Sequence, residues 1–286
     1  MKMMKGFICS LVFAGCMLMS SAHASLLWKI SGNDLEQPSY LFGTIHVICG
    51  SQFYMDERIE NAVNETDTLM LEIDMSSPQT MMRLQQLMVN PQGPYLQDHL
   101  SEEQLATVDE YFIENFGAGV AQLGVLKPMA LNSMVLVGGL PCDDVKSYEV
   151  VLAEMAENQE MSLAELESVE FQMSIFDDIP LAEQVEWLWE MIDDEEHTQA
   201  QMAAMVDAYL SEDVDRLLTF MKEDPQFQDY FEVLLDDRNV NWIAPIREQI
   251  HSESTFIAVG AGHLAGDMGV IQLLREAGYE VEAINR

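Results

Sequence analysis

Two short apolar runs near opposite ends of the chain close on the same pattern. Tyr40-Leu41-Phe42 leads into Gly43-Thr44-Ile45-His46, and Ile257-Ala258-Val259 leads into Gly260-Ala261-Gly262-His263. Apolar runs this short, bounded by turn residues, read as buried β-strands. A glycine after each run lets the backbone turn sharply and approach a neighbour or a ligand, so that the histidine is presented beyond the strand. One G-x-x-H is a common accident. Two copies can act together only if both ends of the chain contribute to one sheet, and neither end holds enough strands to bury both of its faces alone.

The remaining pattern follows from that requirement. Strands over 26–30 and 40–46 flank the turn Ser31-Gly32-Asn33-Asp34, which predicts a hairpin. A helix over 55–65 turns Ile59, Ala62 and Val63 inward, and a third strand covers 68–73, an order that predicts a right-handed βαβ crossover. At the far end come a strand over 255–259, a helix over 267–277 with Gly278 at its C-terminal cap, and a closing strand over 279–284. Between the two ends, Met, Leu and Glu recur at helical spacing, and Ser101-Glu102-Glu103-Gln104 opens a helix over 105–116. One exception is 161–167, which follows a helix over 148–158 and reads as a strand returning to the sheet. The expected fold class is α/β (α+β): a central mixed sheet built from both ends, with a large, mostly helical middle insertion capping the site. In domain terms this makes 25–286 one unit, with 25–75 and 251–286 as sheet core and 76–250 as insertion.

The compartment is read from the first residues. Lys2 and Lys5 precede an apolar run over 6–19 and then Ala22-His23-Ala24, the pattern of a secretory signal cleaved after Ala24. The expectation is an exported protein, periplasmic or secreted. Phe13-Ala14-Gly15-Cys16 offers a competing lipid anchor at Cys16, with Phe where a lipoprotein box usually has Leu. The apolar run is shorter than the roughly 18 to 20 residues a spanning helix needs, and nothing later in the chain approaches that length without charges, so no transmembrane segment is expected. Cleavage removes two lysines and no acid, taking the formal charge from -36 to -38, with 11 basic against 49 acidic residues. Repulsion of that size excludes nucleic acid and anionic lipid as electrostatic partners. Cleavage also leaves only Cys49 and Cys142, by default a disulfide in an oxidising compartment; a soft metal site is the alternative. The 21 methionines fit gap-filling in apolar cores better than copper binding.

Four of the expected strands end in polar residues: His46, Glu72, Glu167 and His263. Ligands of open α/β sheets sit beyond the carboxyl ends of the strands, so these termini should converge on one crevice. His46, Glu72 and His263 are then a ligand set for a divalent metal ion of the Mn, Co or Zn type. Each histidine also has an ordinary alternative, a hydrogen-bonded structural role. Gly43, Gly260 and Gly262 would bring free amide N–H groups close to a bound group. His99, His197 and His251 lie among acids and read as surface.

The segments YLFGTIH at 40–46, DTLMLEID at 67–74, DRN at 237–239 and AVGAGHL at 258–264, with Gly278-Tyr279, resemble the motifs of the TraB/GumN family, related to the TIKI proteins. Lys127-Pro128 and Leu166-Glu167 with Gln172 resemble weaker landmarks; Met129 stands where the family commonly has Trp. The resemblance spans the mature chain. It implies that His46, Glu72 and His263 are metal or catalytic residues with Glu167, Arg238 and Asn239 beside them. TIKI proteins are described as metal-dependent peptidases, while the wider group includes erythromycin-esterase-like and haem-binding proteins.

Two readings follow. In the first, a hydrolase of peptides or small molecules, the metal activates a water, Glu167 is general base, and Arg238 with Asn239 binds an oxyanion or a substrate carboxylate. Glu72 and Glu167 could exchange roles, and a metal-free site with histidine as base is also open. In the second, the same pocket binds a metal, haem or peptide without turnover. Arg238 could equally form a salt bridge, and Glu167 could be one more solvated acid. Neither a G-x-S-x-G elbow nor an H-E-x-x-H helix is present. The sequence carries no sign of oligomeric state.

Overall fold

The structure is a computed structural model that describes residues 25–286; the expected secretory signal, its expected cleavage site and Cys16 lie outside the described residues. Its strands are β1 Leu27–Ser31, β2 Ser39–Thr44, β3 Ile48–Cys49, β4 Thr68–Leu71, β5 Val145–Lys146, β6 Ser162–Glu165, β7 Thr255–Gly260 and β8 Glu280–Ala283. Six of them form one sheet in the order β6-β4-β7-β2-β1-β8, and β3 pairs with β5 in a separate two-stranded ribbon. The four strands β6, β4, β7 and β2 are parallel, whereas β1 runs antiparallel to both β2 and β8.

This is the mixed sheet the two chain ends require, and β6 is the strand expected from the middle. Sequence burial explains the order. The residues of β2 and β4 are all buried, as are five of the six in β7, as parallel strands covered on both faces must be. Polar residues fill the two edges: three of the four positions of β6 are exposed, and β8 presents Glu280 and Glu282 outward. The Glu57–Asn64 helix links β2 to β4 and buries Ile59, Ala62 and Val63 as its spacing dictates. In the sheet, however, β7 from the far end lies between these two strands.

The last helix, Val270–Glu276, begins later than its apolar pattern suggests. Gly266 adopts φ 88°, so the backbone turns there and Gly269 becomes the residue before the helix. At the other end Gly278 is left-handed at φ 97°, and the Tyr279 N–H reaches back to the Leu274 carbonyl at 3.1 Å, the usual device for ending a helix. The Ser101 signal opens the Glu102–Phe116 helix through a reciprocal Ser101–Gln104 capping box.

Two large apolar cores result, with a small third cluster at Ile73, Val169 and Met173. The larger one holds the sheet and includes Phe42, Phe256, Tyr148, Tyr209 and Trp242. A second, in the helical middle, is built on Tyr95, Val108, Phe112, Leu131 and Leu188. Cys49 and Cys142 are joined by a disulfide with their Cα atoms 5.9 Å apart. The bond lies at the β3–β5 ribbon, where Cys49 pairs with Val145 and Ile48 with Lys146. Among the described residues no helix is long and apolar enough to cross a membrane.

Candidate functional site

Because β2, β4, β6 and β7 are parallel, their carboxyl ends lie on one side of the sheet. Register places Thr44 beside Gly260, and Leu71 beside both Ala258 and Glu165. The residues that follow, His46, Glu72, Glu167 and His263, therefore meet. The position that a Cβ on Gly260 would take lies 3.4 Å from Glu72 Oε1, 3.6 Å from His263 Cδ2 and 4.0 Å from His46 Nε2. The small void at this point exists because residue 260 has no side chain.

Arg238 organises the buried half of the site. It enters from the Asp237–Ser252 helix, which follows a π-helical turn at Glu232–Asp236; such turns often accompany functional positions. All five of its N–H groups are used. Nε–H and one Nη2–H grip the Glu167 carboxylate at 2.9–3.2 Å. The other Nη2–H donates to Glu72 Oε2 at 2.6 Å, while Nη1 donates to the Leu234 carbonyl at 3.1 Å and to His263 Nε2 at 3.2 Å. The Trp242 indole donates to Glu167 Oε1 at 2.8 Å. Its ring also packs on His263, centroids 4.4 Å apart, and lies under the guanidinium at 4.9 Å.

These partners fix protons. A guanidinium only donates, so His263 Nε2 is the acceptor and Nδ1 carries the hydrogen, which it donates to Asn239 Oδ1 at 2.7 Å. Burial drives the His263 pKa down to about 3, against the pull of Glu72, and the ring is neutral at pH 7. Burial alone would raise Glu72. The charges of His263, Arg238 and His46 and the Gly260 N–H outweigh it and hold the carboxyl at about 2. With His263 neutral, Arg238 is the cation chiefly responsible. Glu72 also accepts from Gln172 at 2.9 Å on Oε2 and from the Gly260 N–H at 2.8 Å on Oε1.

His46 stands apart, 72 % exposed, with Nδ1 3.0 Å from Glu149 Oε1. The Glu149 hydrogen bond raises its pKa against a lesser opposing effect of desolvation, and solvent around so open a ring limits that rise. Burial would raise Glu149 itself; the contacts to His46, Ser147 and Thr44 outweigh it and keep the carboxyl low. Glu149 is the site residue that the sequence pattern does not reveal. It is one acid among 49, in the first turn of the Tyr148–Asn158 helix. Trp242 escapes notice for a similar reason: its signal is only the i, i+4 relation to Arg238 on one helix.

The expected roles divide accordingly. Glu167 is wholly paired with Arg238 and Trp242, which leaves it poorly placed to serve as general base. Arg238 and Asn239 are occupied in holding Glu72, Glu167 and His263 rather than presented to an oxyanion. Gly43 and Gly262 serve packing: a Cβ would fall 2.6 Å from Leu264 Cδ1 at Gly43 and 2.4 Å from Met221 Sδ at Gly262. Gly260 alone borders the void. Met129, where the family commonly has Trp, packs with Val169, Met173 and Ile73, the residue after Glu72. His99, His197 and His251 are exposed.

One histidine and two carboxylates that meet around Arg238 at the ends of parallel strands, with His46 on the exposed side, define an α/β protein with a polar site at the strand ends. The chain belongs to the TraB/PrgY/gumN family, whose model matches residues 26–283. Among curated proteins it is similar to metalloprotease TIKI1 of Danio rerio, 26 % identical over 90 % of this chain and 63 % of that protein. It is 22 % identical to metalloprotease TIKI2 of Xenopus tropicalis over 90 % of this chain and 59 % of that protein, and 23 % identical to human metalloprotease TIKI1 over 90 % and 61 %. The chain thus spans less than two thirds of the length of these relatives. No solved structure matches it.

Proposed function

We propose that this protein is an exported hydrolase of peptide bonds in which His46, in its neutral form above the pKa that the Glu149 contact raises, is the base that takes a proton from the attacking water. The observation that carries the reading is the gap beside Gly260, which both His46 Nε2 and Glu72 Oε1 approach to within 4.0 Å of a Cβ position. His46 Nε2 has no hydrogen-bond partner among the described residues, and Glu72 Oε1, bonded once to the Gly260 N–H, keeps a second lone pair. A water held between them would give one hydrogen to Nε2 and the other to the carboxylate. Arg238 keeps Glu72 ionised for that purpose, and Gln172 and Gly260 fix its orientation. The neutral ring of His263 closes the void from the buried side.

The name of the relatives implies a divalent metal. With His46 neutral, the three carboxylates Glu72, Glu149 and Glu167 stand against one guanidinium, a balance that a cation would relieve. The donors do not fit one in this arrangement. The Nε2 lone pair of His263 is directed at Arg238, the Glu72 oxygens already accept three N–H groups, and among the described residues no three His, Cys, Asp or Glu side chains are grouped to hold an ion. His46 Nε2 and one lone pair of Glu72 fall short of the three protein ligands of a catalytic zinc-type site. Export is supported by the N-terminal signal and by the disulfide, which suits an oxidising compartment.

The test is hydrolysis of a peptide library by protein beginning at Ser25, with and without a chelator and with metal analysis of the same sample. His46→Ala and Glu72→Gln are each expected to lower the rate about 100-fold or more while the protein stays folded, and the chelator is expected to leave it unchanged. Cleavage that survives His46→Ala removes this mechanism; cleavage lost with a stoichiometric ion restores a metal-bearing one. The saturation of Arg238 favours a second reading, a rigid pocket that binds without turnover. Absence of cleavage, with peptide retained by the wild type and lost in His46→Ala, selects it.

A further inference from the structure

Glu149 lies outside every G-x-x-H segment, yet it is the group His46 leans on. We propose that Glu149 is a positioning residue for His46: its carboxylate holds the ring Nδ1–H, so that the Nε2 lone pair faces the void at Gly260. The inference deepens the reading above and rests on it for the use made of that lone pair.

The geometry has three parts. First, the carboxylate is itself fixed. Oε1 accepts from Thr44 Oγ1 at 2.7 Å and from His46 Nδ1 at 3.0 Å, and Oε2 accepts from Ser147 Oγ at 2.7 Å. The Glu149 side chain is 17 % exposed against 72 % for His46, so the buried partner orients the open one. Second, a carboxylate only accepts. The hydrogen of a neutral His46 must then sit on Nδ1, which leaves Nε2 as the free nitrogen. Nothing else among the described residues hydrogen-bonds this ring, and an exposed imidazole without a partner would sample several rotamers.

Third, the chain ties both sides of the contact together. Cys49, three residues past His46, is bonded to Cys142; Ile48 and Cys49 pair with Lys146 and Val145; and Gly50 N–H donates to the Asp144 carbonyl at 2.7 Å. The segment carrying Ser147 and Glu149 is thereby stitched to the segment carrying His46. Glu149 is not needed to cap its own helix. Ser147 is the N-cap and its hydroxyl accepts from the Val150 N–H, while the Glu149 carboxylate takes no backbone N–H. Its three contacts are all side chains, and two of them lie on the turn that ends β2.

The experiment uses protein beginning at Ser25, labelled with 15N-histidine, in the wild-type, Glu149→Gln and Glu149→Ala forms. Two-bond 1H–15N correlation spectra, recorded above the pH at which His46 loses its proton, report which ring nitrogen is protonated; His46→Gln identifies the signal. The wild type should show His46 in the Nδ1–H form, and Glu149→Ala should shift it toward the Nε2–H form. Peptide hydrolysis should fall by about 10- to 100-fold in kcat with KM little changed, because Glu149 touches no substrate, and Glu149→Asp should recover part of the loss. An Nε2–H ring in the wild type overturns the proposal, and so does a tautomer unmoved by Glu149→Ala. If the alanine variant does not fold, Glu149→Gln, equal in size, carries the comparison: an unaltered ring orientation and an unaltered rate in that variant overturn it. A wild type that cleaves nothing defeats the hydrolase reading, while the tautomer still decides the role of Glu149.

Discussion

At position 260 and at position 43 the same residue, glycine, serves different ends, and the difference can be measured. A methyl group at 260 would meet Glu72, His263 and His46 at 3.4–4.0 Å, ordinary contact distances, and φ there is -51°, which any L residue adopts. Gly260→Ala should therefore fold, and the stiffer unfolded chain should stabilise it by about 0.4–1 kcal/mol. Yet the methyl group lies within 4.0 Å of both His46 Nε2 and Glu72 Oε1 and would crowd a water bridging them, so peptide hydrolysis should fall on the order of 10- to 100-fold. At 43 a methyl group would lie 2.6 Å from Leu264 Cδ1 and 3.1 Å from the Ala261 Cα, so the turn carrying His263 must move. Gly43→Ala is expected to cost about 1–3 kcal/mol by overpacking. Urea unfolding of the two variants should displace the midpoint in opposite directions; a midpoint lowered equally in both would mean that Gly260 is a packing glycine too.

Among the elements, those with a continuous apolar run were open to reading from sequence. The six strands of the main sheet fall within a few positions of where the pattern puts them, the polar edge strands β6 and β8 included. The two-residue strands β3 and β5 show no periodicity to read, and the π-helical turn before Arg238 is a change of hydrogen-bond partner rather than of composition. Glu149 was hidden because its contact with His46 joins positions 103 apart, a distance over which neither spacing nor composition carries information. The Glu57–Asn64 helix allows an element-level test. Its cap Asp56 accepts from the Arg58 and Ile59 N–H groups and pairs with the Arg58 side chain. Burial would raise the Asp56 pKa, and the Arg58 hydrogen bond, its charge and the backbone N–H groups outweigh it, leaving it below the ordinary 3.8. A folded-state pKa below the unfolded one means that the stabilisation is complete above pH 3.8 and is lost as pH falls through the lower folded value. Asp56→Ala should thus cost about 0.5–2 kcal/mol at pH 7, and its gap from wild type should narrow on acidification below that range. A gap of constant size down to pH 2 would show that the charge on Asp56 contributes nothing.

At the scale of the whole molecule, the site is assembled from segments that begin at β2 and end past β7, so its geometry depends on what binds the helical middle to the sheet. Glu167 and Arg238 do this from inside, through ion pairs that require the whole core to be folded. The Cys49–Cys142 bond does it covalently from the other side, closing a separation of 93 positions beside the ribbon that sets Ser147 and Glu149 against His46. In the chain-entropy account, a loop of that length stabilises the fold by roughly 3–5 kcal/mol, chiefly by restricting the unfolded chain. The paired variant Cys49→Ser with Cys142→Ser should therefore unfold at lower urea with a steeper dependence on denaturant, since its unfolded state is more expanded. Its hydrolysis should also decline at temperatures where circular dichroism still shows the native helix content, because the β3–β5 ribbon, at two residues a strand, is too short to hold without the bond. Oxidised and disulfide-free proteins with equal midpoints would place the constraint elsewhere. Lowered stability with a fully retained rate would show that the ion pairs alone keep His46 and Glu149 in register.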